Sequence, residues 1–321
     1  MVMLMLAYDM RAPEFGAPAP ELYAAALDQC EWADRLGFDQ VSFMEHHGSP
    51  DGYLPSPIVM AAAAAGRTRR ILIGIGVMLL PLYHPLRAAE DLAVLDLASG
   101  GRLRLTVGAG YRPTEFEQFG LEMKKRPSLM ERGVETLKQA WTGEPFEYEG
   151  RTVRIRPRPA QQPRPQINMG GSSPAAAQRA ARIADGYRPV APAMFEDYRQ
   201  ALAALDKPVP EPLPLRDYYF FLHVTEDPDR DWPKIAPHVL HENNSYASWL
   251  EGVPDPPYGH LDDADELRKS GAVRIVTPAQ CVAMAKSEGF LAFKPIAGGL
   301  DPALSWESLN LFEREVLPRI R

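Results

Sequence analysis

The feature that most constrains the fold is a regular alternation of short apolar runs with longer segments of helical periodicity. Near the N-terminus, VMLMLAY precedes PELYAAALDQCEWADRLG, whose apolar residues recur at helical spacing and end at a glycine. The same order repeats in DQVSFME and SPIVMAAAAAGR, and again in ILIGIGVMLL and HPLRAAEDLAVLDLASG. Continuously apolar strands are typical of a sheet that is buried on both faces. The sequence therefore predicts about eight strand–helix units in an α/β fold with a parallel sheet.

Regular alternation over 321 residues fits either a closed (β/α)8 barrel or an open doubly wound sheet. The sequence contains neither an internal repeat nor a low-complexity linker, so one domain over residues 1–321 is the simplest prediction. Two stretches interrupt the alternation. FEYEGRTVRIRP is typical of a small β-hairpin. The region from Glu226 to Arg274 is too long for an ordinary connection and predicts an additional helix and a lid.

Composition and charge argue against several classes of protein. A formal net charge of −7 disfavours a general nucleic-acid binder or a membrane-surface binder. No apolar run reaches about 18 residues, so no membrane-spanning helix is expected. MVMLMLAYDM has no basic n-region or cleavage site, and we interpret it as a buried strand rather than a signal peptide. Cys30 and Cys281 have no CxxC partner, which favours a reducing cytoplasm and no structural zinc.

Glycines and polar residues gather at the predicted C-terminal ends of the strands, where α/β folds bind ligands. VGAGYR contains Gly108 and Gly110 but lacks the third glycine of a dinucleotide-binding fingerprint, and it follows the fourth strand instead of the first. A Rossmann interpretation is therefore weak. No GxxxxGK[ST] sequence occurs, which excludes a P-loop.

The turn in NMGGSSPAAAQRAAR is a stronger candidate for an anion site. Gly170 and Gly171 allow the backbone to approach a ligand, and Ser172 and Ser173 add hydroxyl groups. Pro174 suits the first turn of the following helix, whose N–H groups favour a phosphate. The alternative is a serine N-cap with turn glycines, which requires no ligand.

The run MEHHG places Glu45, His46 and His47 at the end of an apolar strand. If these residues are extended, His46 faces away from Glu45 and His47, and the two histidines do not easily bind one metal ion. A histidine that is hydrogen-bonded for structural reasons remains an alternative. The other interpretation is a general acid or base, for which the histidine pKa range is suited.

Several long segments resemble the bacterial luciferase-like monooxygenase family, in the expected order and over most of the chain. They are LGFDQVSFMEHHG, HPLRAAEDLAVLDLASGGRLRLTVGAGYRPTEFEQFG, PQINMGGSSPAAAQRAARIADGY and FKPIAGGLDPALSWESLNLFEREVLP. The resemblance implies an α/β fold of the (β/α)8 TIM-barrel type, with insertions after strand 4 and between strands 7 and 8. It further implies binding of reduced FMN or, in some branches of the family, of a deazaflavin coenzyme, which would carry the redox chemistry.

The resemblance also assigns residues to the expected site. It makes His46 the catalytic histidine of the Glu-His-His run and the turn from Gly170 to Ser173 the phosphate-binding turn. It implies a non-proline cis peptide between Gly76 and Val77. Cofactor contacts are expected from Glu45, Gly76, Val77, Gly108, Ala109, Gly110, Tyr111, Met169, Gly170, Gly171, Ser172 and Ser173.

The chain departs from luciferase itself at two positions. Ala109 stands where luciferase has a phosphate-binding arginine, and Arg112 or a later residue is a candidate to compensate. Gly108 replaces the reactive cysteine of luciferase, so light emission is not expected. Glu115 matches an acidic position of the family near the same loop.

The leading hypothesis is a two-component monooxygenase that uses reduced FMN and O2 on a small organic substrate. A separate flavin reductase is expected as a partner, because the chain contains no nicotinamide-binding fingerprint. The alternatives are a deazaflavin-dependent dehydrogenase or reductase, a flavin-binding barrel without turnover and, more remotely, a metal-dependent hydrolase. We expect a cytoplasmic homodimer with no metal, nucleic-acid or membrane partner.

Overall fold

The computed structural model describes residues 2–211, 219–251 and 258–321. Strands and helices alternate along these residues, as the sequence predicts. The strands are β1 (Met3–Tyr8), β2 (Gln40–Phe43), β3 (Leu72–Met78), β4 (Leu103–Val107), β5 (Phe146–Tyr148), β6 (Arg151–Val153), β7 (Ile167–Gly171), β8 (Gly186–Pro189), β9 (Phe221–Val224), β10 (Val273–Val276) and β11 (Phe290–Phe293). The α-helices are α1 (Ala19–Arg35), α2 (Pro57–Arg67), α3 (Pro85–Ala98), α4 (Pro113–Gln118), α5 (Arg126–Ala140), α6 (Pro174–Ile183), α7 (Phe195–Ala203), α8 (Pro228–Trp249), α9 (Asp265–Ser270), α10 (Pro278–Glu288), α11 (Pro302–Leu311) and α12 (Leu317–Ile320). None of the helices in the described ranges has both the length and the apolar character needed to cross a membrane.

Many of these helices begin at a proline, and part of the 32 prolines of the chain stand at such helix starts. At the first helical position the missing N–H is not needed, and the fixed φ of proline suits the helix. The helices that begin in this way are α2, α3, α4, α6, α8, α10 and α11. Proline therefore marks the points where helices start in this chain.

The chain divides into two compact units. The first comprises Met1–Ser42, Ser49–Leu54 and Arg216–Arg321, and the second comprises Phe43–Gly48 and Pro55–Leu215. The expectation of one domain over residues 1–321 stays a prediction.

In the first unit, β1 lies between β11 and β2 and pairs in parallel with β11, from Met3 opposite Phe290 to Leu6 opposite Phe293. Strands β9 and β10 form a second parallel pair. All four residues of β9 are buried, as expected for a strand that is covered on both faces. The core around β9 and β10 consists of Phe221, Ile235, Val239, Leu267, Val273, Ile275, Ala297, Leu300 and Leu304.

In the second unit, β3, β4, β7 and β8 run parallel in that order. Strands β5 and β6 form an antiparallel hairpin, which confirms the prediction for FEYEGRTVRIRP. Trp141, just after α5, is fully buried, and its Nε1 donates to the carbonyl oxygen of Ala89 at 3.0 Å. This bond fastens the end of α5 to α3.

The long interruption after β9 contains the predicted additional helix, α8. The strand β10, which begins at Val273 at the end of this region, was not among the strands that the sequence predicted. This strand has four residues, which is too short for sequence periodicity to distinguish it from a loop. Residues 252–257 of the predicted lid lie outside the described residues.

Charged side chains are buried in the first unit beyond the ends of β1 and β11. Lys294 Nζ lies 2.6 Å from Asp9 Oδ2 and 2.5 Å from Glu242 Oε1. Burial raises the pKa of Glu242. Burial also lowers the pKa of Lys294, but the charges of Asp9 and Glu242 outweigh it and leave the pKa above its usual value. Lys294 is therefore the cation that two buried carboxylates share.

Arg11 extends this network and is itself fully buried. Its Nε lies 3.3 Å from Asp9 Oδ2, and its Nη1 pairs with Asp51. Aromatic rings surround the guanidinium, with Cζ 4.7 Å from the Tyr53 and Trp249 ring centroids. Ring faces attract a cation, so the aromatic residues help to stabilise a charge that is withdrawn from water.

Replacing Lys294 by methionine should destabilise the first unit strongly. The substitution keeps most of the volume but leaves Asp9 and Glu242 buried without their shared cation, which typically costs about 3–5 kcal/mol. Urea denaturation of Lys294→Met should show this loss. Lys125→Met is the matched control, because Lys125 pairs with Glu122 on the surface and should leave the midpoint unchanged. Equal midpoints for the two variants would contradict the role of Lys294.

Candidate active site

Three titratable side chains follow β2 directly and alternate in direction. Glu45 Oε1 lies 2.8 Å from His47 Nε2, so these two side chains meet. His46 turns away from them, and its Nδ1 lies 2.8 Å from Glu115 Oε1. The expected divergence of the two histidines is confirmed, since each imidazole contacts a different carboxylate. Among the residues that the structure describes, no three His, Cys, Asp or Glu side chains form a metal-binding group.

Glu45 is buried and uses both carboxylate oxygens to hold neighbouring segments. Its Oε2 accepts the backbone N–H of Leu79 at 2.9 Å, and its Oε1 accepts the hydroxyl of Tyr83 at 2.9 Å in addition to His47. Burial raises the pKa of Glu45, and the hydrogen bonds from His47, Leu79 and Tyr83 oppose that rise. The carboxylate therefore fixes the ring of His47 and the segment that follows β3.

Glu115 is the second carboxylate of the site and is fully buried on α4. Its Oε1 accepts the backbone N–H of His47 at 2.9 Å and Nη1 of Arg112 at 3.2 Å, besides its contact with His46. Burial raises the pKa of Glu115, but the hydrogen bond and charge of His46, the His47 amide and Arg112 outweigh it. The net pKa lies below the usual value, so Glu115 is an ionised carboxylate at neutral pH.

Arg112 belongs to the same cluster and is only 8% exposed. Its Nη1 also donates to the carbonyl oxygen of His47 at 2.9 Å. The sequence analysis considered this arginine as a phosphate ligand in place of Ala109, and the structure directs its Nη1 to the histidine loop. Sequence reasoning recognised Glu115 only as a matching acidic position and missed that it holds His46. One local signal was available: Arg112 and Glu115 are three residues apart at the start of α4, a spacing that allows an ion pair.

Tyr111 completes the cluster on the other side of His46. Its hydroxyl lies 3.3 Å from His46 Nε2, and the two rings meet edge to face with centroids 5.4 Å apart. Tyr111 is partly exposed, whereas Glu115 is fully buried. The imidazole therefore lies between a buried carboxylate and a hydroxyl group nearer the surface.

Glycines line the ends of β3, β4 and β7 on the face that carries Val77. The peptide bond between Gly76 and Val77 is cis, as the resemblance implied. A Cβ atom on Gly108 would lie 2.8 Å from Val77 Cγ2, and one on Gly170 would lie 2.7 Å from Val77 Cγ1. Two neighbouring strands therefore present only backbone around this valine. The lack of a side chain at both glycines therefore makes room for Val77.

The turn after β7 is closely packed and leads into a capped helix. A Cβ atom on Gly171 would lie 2.5 Å from the Cβ of Ala176 and 3.1 Å from the hydroxyl of Tyr187, so this position is restricted to glycine. Ser173 caps α6 by accepting the N–H of Ala176 at 3.3 Å, and Ser172 is exposed. The turn can present a hydroxyl group and the positive end of α6 to an anion.

The remaining predicted contact residues have distinct surroundings. Gly110 adopts a φ of 75°, a left-handed conformation that favours glycine, and Ala109 is partly exposed beside it. Met169 is only 1% exposed, so its side chain packs in the core. Because side chains alternate along β7, Met169 points away from the face of Gly170 and can offer a ligand only its backbone.

The description of the matching family model is luciferase-like monooxygenase, and it matches residues 6–282. The chain is 38% identical over 173 residues to the uncharacterized protein y4wF of Sinorhizobium fredii, which is 52% of this chain and 51% of that protein. It is 33% identical over 168 residues to the FMNH2-dependent dimethylsulfone monooxygenase of Pseudomonas putida, covering 48% of this chain and 45% of that protein. The chain thus spans about half the length of these curated relatives or less.

Solved structures match over nearly the whole chain. The monooxygenase RslO1 of Streptomyces bottropensis has a TM-score of 0.78 and 25% identity, with coverage of 99% of this chain and 100% of that one. An F420-dependent secondary alcohol dehydrogenase has a TM-score of 0.67 and 17% identity, with 100% coverage of both chains. The second likeness concerns the fold alone.

A methyl group at Gly170 should collide with Val77 and destabilise the second unit. We expect Gly170→Ala to lower the free energy of unfolding by about 1–3 kcal/mol, because valine is stiff and the strand ends are closely packed. The same substitution should cost much less in a Val77→Ala background, and urea denaturation of the four proteins measures this coupling. Gly259→Ala is the control, since a Cβ there meets nothing within 4 Å. An equal cost in both backgrounds would disprove the contact.

Proposed function

The chain belongs to the luciferase-like monooxygenase family, and on that premise we propose that it is a flavin-dependent monooxygenase that oxygenates a small organic substrate with reduced FMN and O2. The observation that carries this proposal is His46, whose imidazole is held by the buried Glu115 at 2.8 Å and faces Tyr111. A positioned histidine of this kind is suited to proton transfer near neutral pH. The glycine-lined strand ends of the same unit supply the flat surface that an isoalloxazine ring requires.

The residues of the second unit fit a flavin in two respects. Val77 would lie against the ring, and the lack of a side chain at Gly108 and Gly170 gives the valine the room to take that position. Ser172, Ser173 and the N-terminus of α6 would hold the phosphate. Reduced flavin, when bound, supplies the electrons for the reaction with O2. His46 would supply or accept the proton, and the apolar strand ends would exclude water.

A separate flavin reductase is part of this proposal. The chain contains no nicotinamide-binding fingerprint, so reduced FMN would have to be delivered to it. One relative is described as FMNH2-dependent, which is consistent with a cofactor that arrives already reduced. We infer a two-component system that operates in the cytoplasm.

A second candidate function is hydride transfer with a deazaflavin coenzyme. It is favoured by the structural likeness to an F420-dependent dehydrogenase over the whole chain. That chain and a Baeyer-Villiger monooxygenase solved with FMN are both similar in fold to this one, so the fold accommodates either cofactor. Cofactor binding therefore distinguishes the two functions.

Binding of reduced cofactors under anaerobic conditions tests the proposal. Reduced FMN should bind more tightly than reduced riboflavin, which lacks the phosphate, and more tightly than reduced deazaflavin coenzyme. Ser172→Asp should weaken FMN roughly tenfold by charge repulsion, equivalent to about 1.4 kcal/mol, and leave riboflavin unchanged. Ser128→Asp, at an exposed serine on α5, is the control. Equal affinities for FMN and riboflavin would refute the phosphate turn, and tighter deazaflavin binding would favour the second candidate.

The two histidines should contribute unequally to turnover. With saturating reduced FMN and a substrate found by screening, His46→Gln should lower turnover by about 10²–10⁴-fold, the usual scale for a lost proton-transfer group. His47→Gln should have a smaller effect, because the His47 ring is bound to Glu45 and contacts Phe119. Unchanged turnover in His46→Gln would contradict a proton-transfer role for His46.

We propose that the chain folds as one (β/α)8 barrel domain over residues 1–321.

We also propose that the chain forms a homodimer through α2 and α3. Both helices expose apolar or small side chains that a monomer would leave in water, and such patches are typical of protein interfaces. They are Val59, Ala62, Ala63, Gly66, Val94, Leu97 and Ala98. Sedimentation velocity should show a dimer for the native protein and a monomer for Val94→Glu. Val209→Glu, at an exposed valine outside these helices, should remain dimeric.

A further inference from the structure

Glu115, His46 and Tyr111 form a continuous line of polar contacts within the second unit. Glu115 Oε1 lies 2.8 Å from His46 Nδ1, and His46 Nε2 lies 3.3 Å from the Tyr111 hydroxyl. The line runs from a fully buried carboxylate to a partly exposed hydroxyl group. Its two ends therefore differ in their access to a bound molecule.

The chemistry of the three groups decides where the protons are. The pKa of Glu115 lies below its usual value, so the side chain is a carboxylate that can only accept hydrogen bonds. His46 Nδ1 must then carry a proton to donate to Glu115. In the neutral imidazole the other nitrogen, Nε2, is unprotonated and can only accept a hydrogen bond. The Tyr111 hydroxyl is a donor in reach of Nε2.

The carboxylate that imposes this arrangement is itself held firmly. His47 donates its backbone N–H to Glu115 Oε1 at 2.9 Å, and Arg112 donates to the same oxygen at 3.2 Å. Arg112 is in turn bound to the carbonyl oxygen of His47 at 2.9 Å. Glu115 therefore cannot rotate away from His46 without losing several buried hydrogen bonds.

We propose that Glu115 is a positioning residue that fixes His46 in the Nδ1-protonated form, and that the Tyr111 hydroxyl is the group through which His46 exchanges a proton with the reacting molecule. The inference about Tyr111 rests on the proposed function; the inference about Glu115 does not.

The proton transfer balances in both directions. When the reacting molecule gives a proton to Tyr111 Oη, the phenolic proton passes to His46 Nε2. One bond to hydrogen breaks in the reacting molecule and one N–H bond forms on His46, and no electrons are transferred. The imidazolium that results is paired with the carboxylate of Glu115. The reverse sequence returns the proton.

Nitrogen-15 NMR of the cofactor-free protein tests the arrangement without any turnover. With His46 signals assigned by their absence in His46→Gln, the native protein should show protonated Nδ1 and unprotonated Nε2. Tyr111→Phe should keep this tautomer. Only the Nε2 signal should shift, toward the value of an unprotonated imidazole nitrogen that accepts no hydrogen bond. Tyr83→Phe, which removes a hydroxyl from Glu45 instead, should leave both His46 signals unchanged. Protonated Nε2 in the native protein, or an Nε2 signal indifferent to Tyr111→Phe, would overturn the proposal.

A leucine at position 115 tests the positioning role. Glu115→Leu removes the acceptor that faces His46, so Nδ1 is no longer obliged to carry the proton. The His46 signals should then report a mixture of the two tautomers, with the fold preserved by circular dichroism. Glu115→Gln is the matched variant: the His47 N–H and Arg112 hold its amide oxygen where Oε1 lies, so it should keep the Nδ1-protonated form. A single Nδ1-protonated form in Glu115→Leu would show that the carboxylate does not set the tautomer.

Kinetics of double variants test whether Tyr111 and His46 act as one unit. Tyr111→Phe should lower kcat about 10–100-fold with little change in KM, because the ring and its packing remain. The double variant His46→Gln/Tyr111→Phe should be no slower than His46→Gln alone, as expected for groups that act together. If the two single-variant losses in kcat multiply in the double variant, the two groups act independently and the relay is overturned. Failure of FMN to bind, with the NMR result as expected, would instead reject the proposed function and leave the role of Glu115 intact.

Discussion

The site depends on two buried carboxylates that hold adjacent histidines in opposite directions. Glu45 receives the ring of His47, and Glu115 receives the ring of His46. A carboxylate without partners would be very costly in such a place, and each accepts hydrogen bonds from the backbone and from other side chains. The donors to Glu45 come from the segment after β3, and those to Glu115 come from the histidine loop and the start of α4. Hydrogen bonds to these two carboxylates therefore connect the loops at the strand ends.

Much of the fold could be predicted from the sequence because it follows from local patterns. Apolar runs of five or more residues, as in β1 and β3, and the helical periodicity between them are visible in any window of the chain. The divergence of His46 from Glu45 and His47 follows from the alternation of side chains along extended backbone. The hairpin of β5 and β6 is indicated by its Glu-Gly turn between short β-forming segments.

What the sequence did not reveal depends on contacts between distant residues. Glu115 is 69 residues from His46, and no local pattern pairs the two. Lys294 lies 52 residues from Glu242, and their shared burial with Asp9 is equally invisible along the chain. The orientation of Arg112 was also beyond sequence reasoning, because a guanidinium can reach in several directions from one backbone position. Resemblance to a family supplied candidate site residues but not the bonds that fix them.

The buried charges of the first unit restrict how this chain can change. Asp9 and Glu242 share the ammonium group of Lys294 out of contact with water, so a change at any one of the three leaves the others uncompensated. Apolar replacements of all three together could fit the same space, but each intermediate sequence on the way would carry an unpaired buried charge. Such positions are epistatic: they can vary as a group, and single substitutions between two viable groups are blocked. The surroundings of β1 and β11 should therefore drift more slowly, and in larger correlated steps, than the exposed faces of the helices.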